Sequence, residues 1–383
     1  MFHKIGLSPI GICYHLVAFL ASLVVIAAPG CASAEERYVL AGSAGSARIV
    51  MELEGHDEDV RGRYFYQKYR QDIGLSGGWS GAVLTLSART TGDIMTLRKT
   101  RRGYAGTLTT AKARKVPVSL TLGGIRGFGS ANVSAAVSGL SDYEQAQLAD
   151  LAFVPGKTRK IGSRLLRDWR EPVSGIEMFR IDGGYARPVI ETINASLERR
   201  HWEQVSQWFS CEGYDGESGM DISEVRSSYL GDQLVSYAWF ASYSCAGTAH
   251  PDFGTQGFAF DAKTGRELAL EDLLYFGAQP VPAPETTEFY AYRSGVFAPR
   301  VVALLSQLYP EEMNTAQGEG GDDECDYSDP SVWNFPSWYL TQDGLYLGAY
   351  FARAMRPCDE PDWAVIPWRY LTFRKQETGA AER

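Results

Sequence analysis

Glycine sets the rhythm of the first third of this chain. Gly74, Gly77–Gly78, Gly92, Gly103 and Gly106 interrupt short segments at close intervals, the punctuation that antiparallel hairpins require. Between them the pattern is that of strands. Residues 47–53 are apolar-rich, Gly62 to Tyr66 alternates around aromatics, and Ala82 to Leu86 alternates cleanly. Val116, Val118, Leu120 and Leu122 then fall on one face, as a period of two requires. A β-rich module over residues 35–125, with its aromatics in the core, is the expected fold. Hydrophobic residues at 45% and charged residues at 22% of 383 positions argue against general disorder.

The extreme N-terminus reads differently. His3 and Lys4 precede an apolar run from about Leu16 to Ala28, and Ala32-Ser33-Ala34 follows. A charged start, an apolar middle and an A-x-A site are the order of a secretory signal peptide, which predicts export of a chain beginning at Glu35, to a periplasmic or secreted location. Two alternatives are lipidation at Cys31, against which Ala28 stands where a lipobox wants a large aliphatic residue, and retention of residues 10–28 as an anchor. No other stretch is apolar enough to span a membrane.

Lys4 is the one charged residue in 1–34, so cleavage moves the formal charge from −9 to −10. It also removes Cys13 and Cys31 and leaves Cys211, Cys245, Cys325 and Cys358. Four cysteines in an oxidising compartment read as two disulfides. Of three pairings, Cys211–Cys245 with Cys325–Cys358 is favoured, since each pair lies within one local stretch. No C-x-x-C spacing supports a metal site instead.

Residues 126–186 read as a connector, with a short helix near 142–152 and a basic patch of six Lys or Arg between Lys157 and Arg170. From Arg187 to Phe209 the spacing predicts a helix. Pro188 suits its first turn, and Ile190, Ile193, Leu197, His201, Val205 and Trp208 make one apolar stripe, on which His201 reads as a packed residue. Strands are expected at 226–230, 234–244, 257–260, 345–350 and 364–366, with a second helix near 299–308. The fold class is therefore α+β: an antiparallel β-rich domain, then an α+β domain over 187–373 with an antiparallel sheet and two main helices, then a polar tail, 374–383.

The run Gly62-Arg-Tyr-Phe-Tyr, Ile73-Gly-Leu-Ser-Gly and Thr91-Gly92 loosely resembles a β-rich module of exported bacterial proteins. A second resemblance is richer. Ser242-Tyr-Ser-Cys-Ala-Gly-Thr-Ala-His250-Pro-Asp is followed by Phe258-Ala-Phe-Asp261-Ala-Lys-Thr-Gly265 and by Leu268-Ala-Leu270-Glu-Asp272-Leu-Leu274. With the later Leu340-Thr-Gln-Asp-Gly-Leu345, this is similar to the extracytoplasmic domain of the anti-sigma-V factor, which also recurs beside some polysaccharide deacetylases. The similarity covers roughly residues 187–373, and it implies a binding role, because the anti-sigma-V factor is a receptor for lysozyme. Nothing here resembles its transmembrane helix or its sigma-binding region. Residues 353–362, with Cys358 and two prolines, depart from the family pattern.

Catalytic patterns are sparse. No H-E-x-x-H, S-x-x-K or P-loop occurs. A G-x-S-x-G match at Gly74–Gly78 lacks the helix that a nucleophile elbow needs, and reads as a glycine-rich turn. Five histidines leave little for histidine chemistry or zinc, no cofactor is implied, and the charge of −9 argues against a nucleic-acid partner. The acidic run Glu319, Asp322, Asp323, Glu324, Asp326 and Asp329, around Cys325, lacks EF-hand spacing. The expected function is a non-enzymatic cell-envelope protein that binds a basic protein partner, such as a lysozyme-like one. Its candidate contacts are His250, Asp322, Asp323 and Glu324. The alternative is a cell-wall-directed hydrolase with a carboxylate pair the sequence does not single out.

Overall fold

The structure, a computed structural model, describes residues 37–123, 135–214, 216–313 and 325–372. Residues 1–36, which hold the expected signal peptide, residues 373–383, and Asp322, Asp323 and Glu324 lie outside the described residues. The fold class is α+β, with an antiparallel barrel followed by smaller sheets and helices.

Eight strands close the barrel: β1 (Tyr38–Ala44), β2 (Ala47–His56), β3 (Asp59–Tyr66), β4 (Ile73–Ser80), β5 (Val83–Ser87), β6 (Ile94–Thr100), β7 (Gly103–Thr109) and β8 (Lys115–Leu122), with β8 pairing back onto β1. Leu40, Met51, Leu53, Tyr64, Leu84, Leu97 and Leu120 fill the interior at 0–2% exposure, as expected of a barrel just wide enough for its own side chains. The G-x-S-x-G stretch is not a turn: it lies inside β4. Gly77 is there because a Cβ would strike the Thr85 carbonyl oxygen, and Gly106 because a Cβ would strike that of Thr96. Strand coiling in so small a barrel, not chemistry, explains the glycines.

The segment expected as a connector is more ordered than its charges suggested. Helix α1 (Asp142–Leu148) opens on a capping box between Ser141 and Glu144, which satisfies two of its orphan N–H groups. It lays Tyr143 and Ala146 over Ala41, Val50 and Phe65 on the outside of the barrel. Strands β9 (Val154–Ile161), β10 (Arg164–Arg170) and β11 (Glu177–Gly183) then form an antiparallel sheet. Its basic residues are not a loose patch, since Arg159 pairs with Asp168, Arg167 with Asp182 and Arg164 with Asp232.

Phe179 and Ile181 of β11 pack against α2 (Arg187–Ser210), beside Ile193, Leu197 and Val205. Behind α2 stands the sheet β12 (Met220–Leu230), β13 (Leu234–Tyr243), β14 (Asp252–Asp261) and β15 (Glu267–Leu268). Residues 234–240 of β13 are buried on both faces. Val235, Tyr237 and Trp239 belong to the α2 side. Leu234 joins the second core, which holds Val301 and Leu305 of α4 (Ala298–Leu308), Trp333, and Leu345 and Leu347. Helix α3 (Thr287–Tyr292) reaches α4 through a π-turn, Arg293–Phe297, and α5 (Pro310–Met313) follows. Strands β16 (Ser337–Leu340), β17 (Gly344–Gly348) and β18 (Val365–Pro367) complete a last small sheet. No helix among the described residues is long and apolar enough to cross a membrane.

From Arg37 onward the described residues form one compact unit, because polar groups bolt the barrel to the end of α2. The Gln71 amide donates to the carbonyls of Phe209 (2.8 Å) and Cys211 (2.9 Å), and the Asp72 N–H donates to Phe209 O (2.9 Å). Glu212 accepts from the Gly74 N–H (2.9 Å) and from the Thr90 hydroxyl. Cys211 is disulfide-bonded to Cys245, and Cys325 to Cys358.

Candidate functional site

Strand β14 has a neighbour along only part of its outer edge, since β15 pairs with Ala259 and Phe260 alone. The first half of that edge, Phe253 to Gly257, forms one wall of a groove of about 370 Å3. Phe335 to Trp338 and Gly348 to Tyr350 form the other walls, and Arg356, Asp359 and Glu360 close the rim. A glycine shapes it. The Trp338 carbonyl sits directly over Gly257, where a Cβ would strike it.

The rim turn is a network of charges. Arg356 lies between two rings, 4.7 Å from the centroids of both Phe253 and Tyr350. It donates to Asp252 (2.7 Å), to Asp359 and to the Phe253 carbonyl. Glu360 accepts from the Thr255 N–H (2.6 Å) and hydroxyl (2.8 Å), and Asp359 accepts from the Phe351 N–H (2.7 Å). Burial pushes the Asp359 carboxyl up, against the pull of the Phe351 N–H and Arg356. For Asp252 burial acts the same way, but the Phe253 N–H and Arg356 outweigh it and hold the carboxyl below the usual range. These side chains satisfy the unpaired N–H and C=O groups of an edge strand, a recurrent device against unwanted strand pairing. The Cys325–Cys358 disulfide pins the turn.

The three carboxylates at the rim, Asp252, Asp359 and Glu360, all accept hydrogen bonds from groups of the chain itself. Phe335 (51% exposed) and Tyr350 (60% exposed) present apolar rings beside these polar groups. Tyr290, itself exposed, extends the apolar rim through edge contact with Phe335 at 5.8 Å.

His250 is exposed in the turn just before β14, and its carbonyl accepts from the Thr248 hydroxyl at 3.3 Å. Two residues on, Asp252 joins the rim. His201 is wholly buried. Its Nε2 lies 3.0 Å from the Ile176 carbonyl and its ring stacks on Phe153. Burial, reinforced by Arg180, lowers its pKa to about 3, so it is a neutral packed residue. Asp261 accepts from the Lys263 and Thr264 N–H groups, and Gly265 takes φ +77°, the turn its spacing predicted. Sequence reasoning missed Arg356, Glu360, Phe335 and Tyr350. The available signal was Cys358, set between two prolines. Among the described residues no group of three or more His, Cys, Asp or Glu is placed to hold a metal. No family model and no curated protein matches the chain.

Proposed function

We propose that this is an exported, non-enzymatic cell-envelope protein that binds a basic protein partner, of a lysozyme-like kind, at the groove beside β14. The observation that carries this reading is the groove's chemistry: exposed rings and a fixed charged rim, with its carboxylates already spoken for. The acidic run of the sequence supports it, because Cys325, which directly follows Asp322, Asp323 and Glu324, is tied by its disulfide to the rim at Cys358. Negative charge held at a binding surface speeds association with a basic partner. Surface plasmon resonance with lysozyme tests the reading. Phe335→Ala with Tyr350→Ala removes the two exposed rings of the groove and abolishes binding. Replacing Asp322, Asp323 and Glu324 with Asn, Asn and Gln lowers the on-rate more than it raises the off-rate. Unchanged binding by the double alanine variant removes the groove from the reading, and absence of binding by the parent chain at low salt ends the lysozyme-like assignment.

A further inference from the structure

The barrel carries a surface unlike the rest of this acidic chain. From Ile94 to Gly123 there are seven Lys or Arg residues and no Asp or Glu. All seven are exposed, and among the described residues none of them forms an ion pair. Closure of the barrel gathers them on one side. Arg98, Lys99, Arg101 and Arg102 crowd one rim at the β6–β7 turn. Lys112, Arg114 and Lys115 stand at the other rim, at the β7–β8 turn.

Between the rims, the seven residues of β7 span roughly 23 Å. The outward face there is small and uncharged, with Thr96 opposite Thr107 and Thr107 opposite Pro117. One apolar side chain stands out of it, Ile94, 45% exposed at the second rim. Leu122, in phase with the inward Val118 and Leu120, is 58% exposed at the barrel mouth on the first rim, where its N–H donates to the Arg102 carbonyl. One carboxylate shares the second rim: Asp93, beside Ile94, accepts from the Ala111 N–H (3.1 Å). The acidic turn Asp57–Asp59 joins β2 to β3, diametrically opposite β6–β7 in the strand order. The β1–β3 side is covered by α1, so the cationic face is the open one.

We propose that the outer face of β6–β8 docks flat on an anionic lipid bilayer, its two basic rims on headgroup phosphates and Ile94 at the acyl boundary. A bilayer fits better than a soluble polyanion because the face is broad, with charge at both ends, and carries an apolar wedge beside the cations. Clusters of Lys and Arg gain affinity for anionic leaflets additively and in a salt-dependent way. This site is separate from the β14 groove and does not depend on it.

The test is vesicle co-sedimentation of the chain from Glu35 onward, which holds the whole compact unit and lacks the apolar run. Vesicles of phosphatidylcholine with about 30% phosphatidylglycerol are compared with phosphatidylcholine alone. Binding is expected to the anionic vesicles only, and to be lost in about 0.5 M salt. Arg101→Gln with Arg102→Gln, and separately Lys112→Gln with Arg114→Gln, each weaken it about 30-fold. Thr96→Glu, in the middle of the face, weakens it as well, and none of these exposed substitutions changes the thermal midpoint. Equal binding to neutral vesicles, no binding to either kind, loss at one rim only, or binding to a DNA oligonucleotide in place of vesicles overturns the proposal.

Discussion

Tyr143→Phe isolates one hydrogen bond in the joint between α1 and the barrel. Asp72 is buried there (3% exposed) and accepts from the Tyr143 hydroxyl (2.7 Å), the Gln147 amide (2.6 Å) and Arg63 (3.2 Å), which also donates to Glu52 (3.0 Å). Burial raises the Asp72 carboxyl to about 6 despite Arg63, Tyr143 and Gln147. Its folded pKa thus exceeds the unfolded value of about 3.9, so the folded state holds the proton more tightly. The resulting stability is present in full below about pH 4 and is lost as pH rises through about 6, a swing of about 3 kcal/mol. Phenylalanine keeps the ring against Phe65 and beneath Arg63 and removes only the hydroxyl. Near pH 8 it removes a bond to a carboxylate, worth about 2 kcal/mol, whereas near pH 4.5 the bond is to a neutral acid, worth about 1 kcal/mol. Urea denaturation of both proteins at the two pH values, disulfides intact, measures this. The variant's deficit should be larger at the higher pH. An equal deficit at both would show that Asp72 does not change charge between them, and would refute the reasoning.

His201→Phe should flatten acid destabilisation. The folded pKa of about 3 lies below the ordinary histidine value of about 6.5, so the parent's stability is full above about 6.5 and falls with pH toward about 3, by up to about 5 kcal/mol. Thermal midpoints across that range would show the variant losing less. Glu271→Gln leaves Arg293, 7% exposed and 2.7 Å from Glu271, without its counter-charge, and should cost about 3–5 kcal/mol in urea denaturation. Arg356→Met strands Asp359 and uncovers the Phe253 carbonyl, so hydrogen exchange at the Phe253–Gln256 amides should quicken while that of the barrel does not change. Replacing Cys325 and Cys358 with Ala opens a loop of sequence separation 33, a loss of about 4 kcal/mol by the chain-entropy estimate, read as a lower midpoint relative to the parent.

Local rules wrote much of this fold in the sequence. Alternation located β3, β5 and β8, and the three- and four-residue spacing of Ile193, Leu197 and Val205 located α2, because periods of two and 3.6 are properties of the backbone itself. The fold class and both disulfide partners followed from equally local cues. Strands β9 to β11 were hidden because every residue of β9 except Ile161 is exposed, so no apolar alternation marks the strand. The groove was illegible for another reason: Phe253, Phe335, Tyr350 and Glu360 are over a hundred residues apart at the extremes, and only the crossing of β16 over Gly257 brings them together. The cationic face stood between. Its acid-free run was plain in the sequence, but the net charge of −9 averaged it away. Barrel closure decided that both rims of β6–β8 face solvent on the side α1 leaves bare, and proximity around a closed sheet is a property no single strand contains.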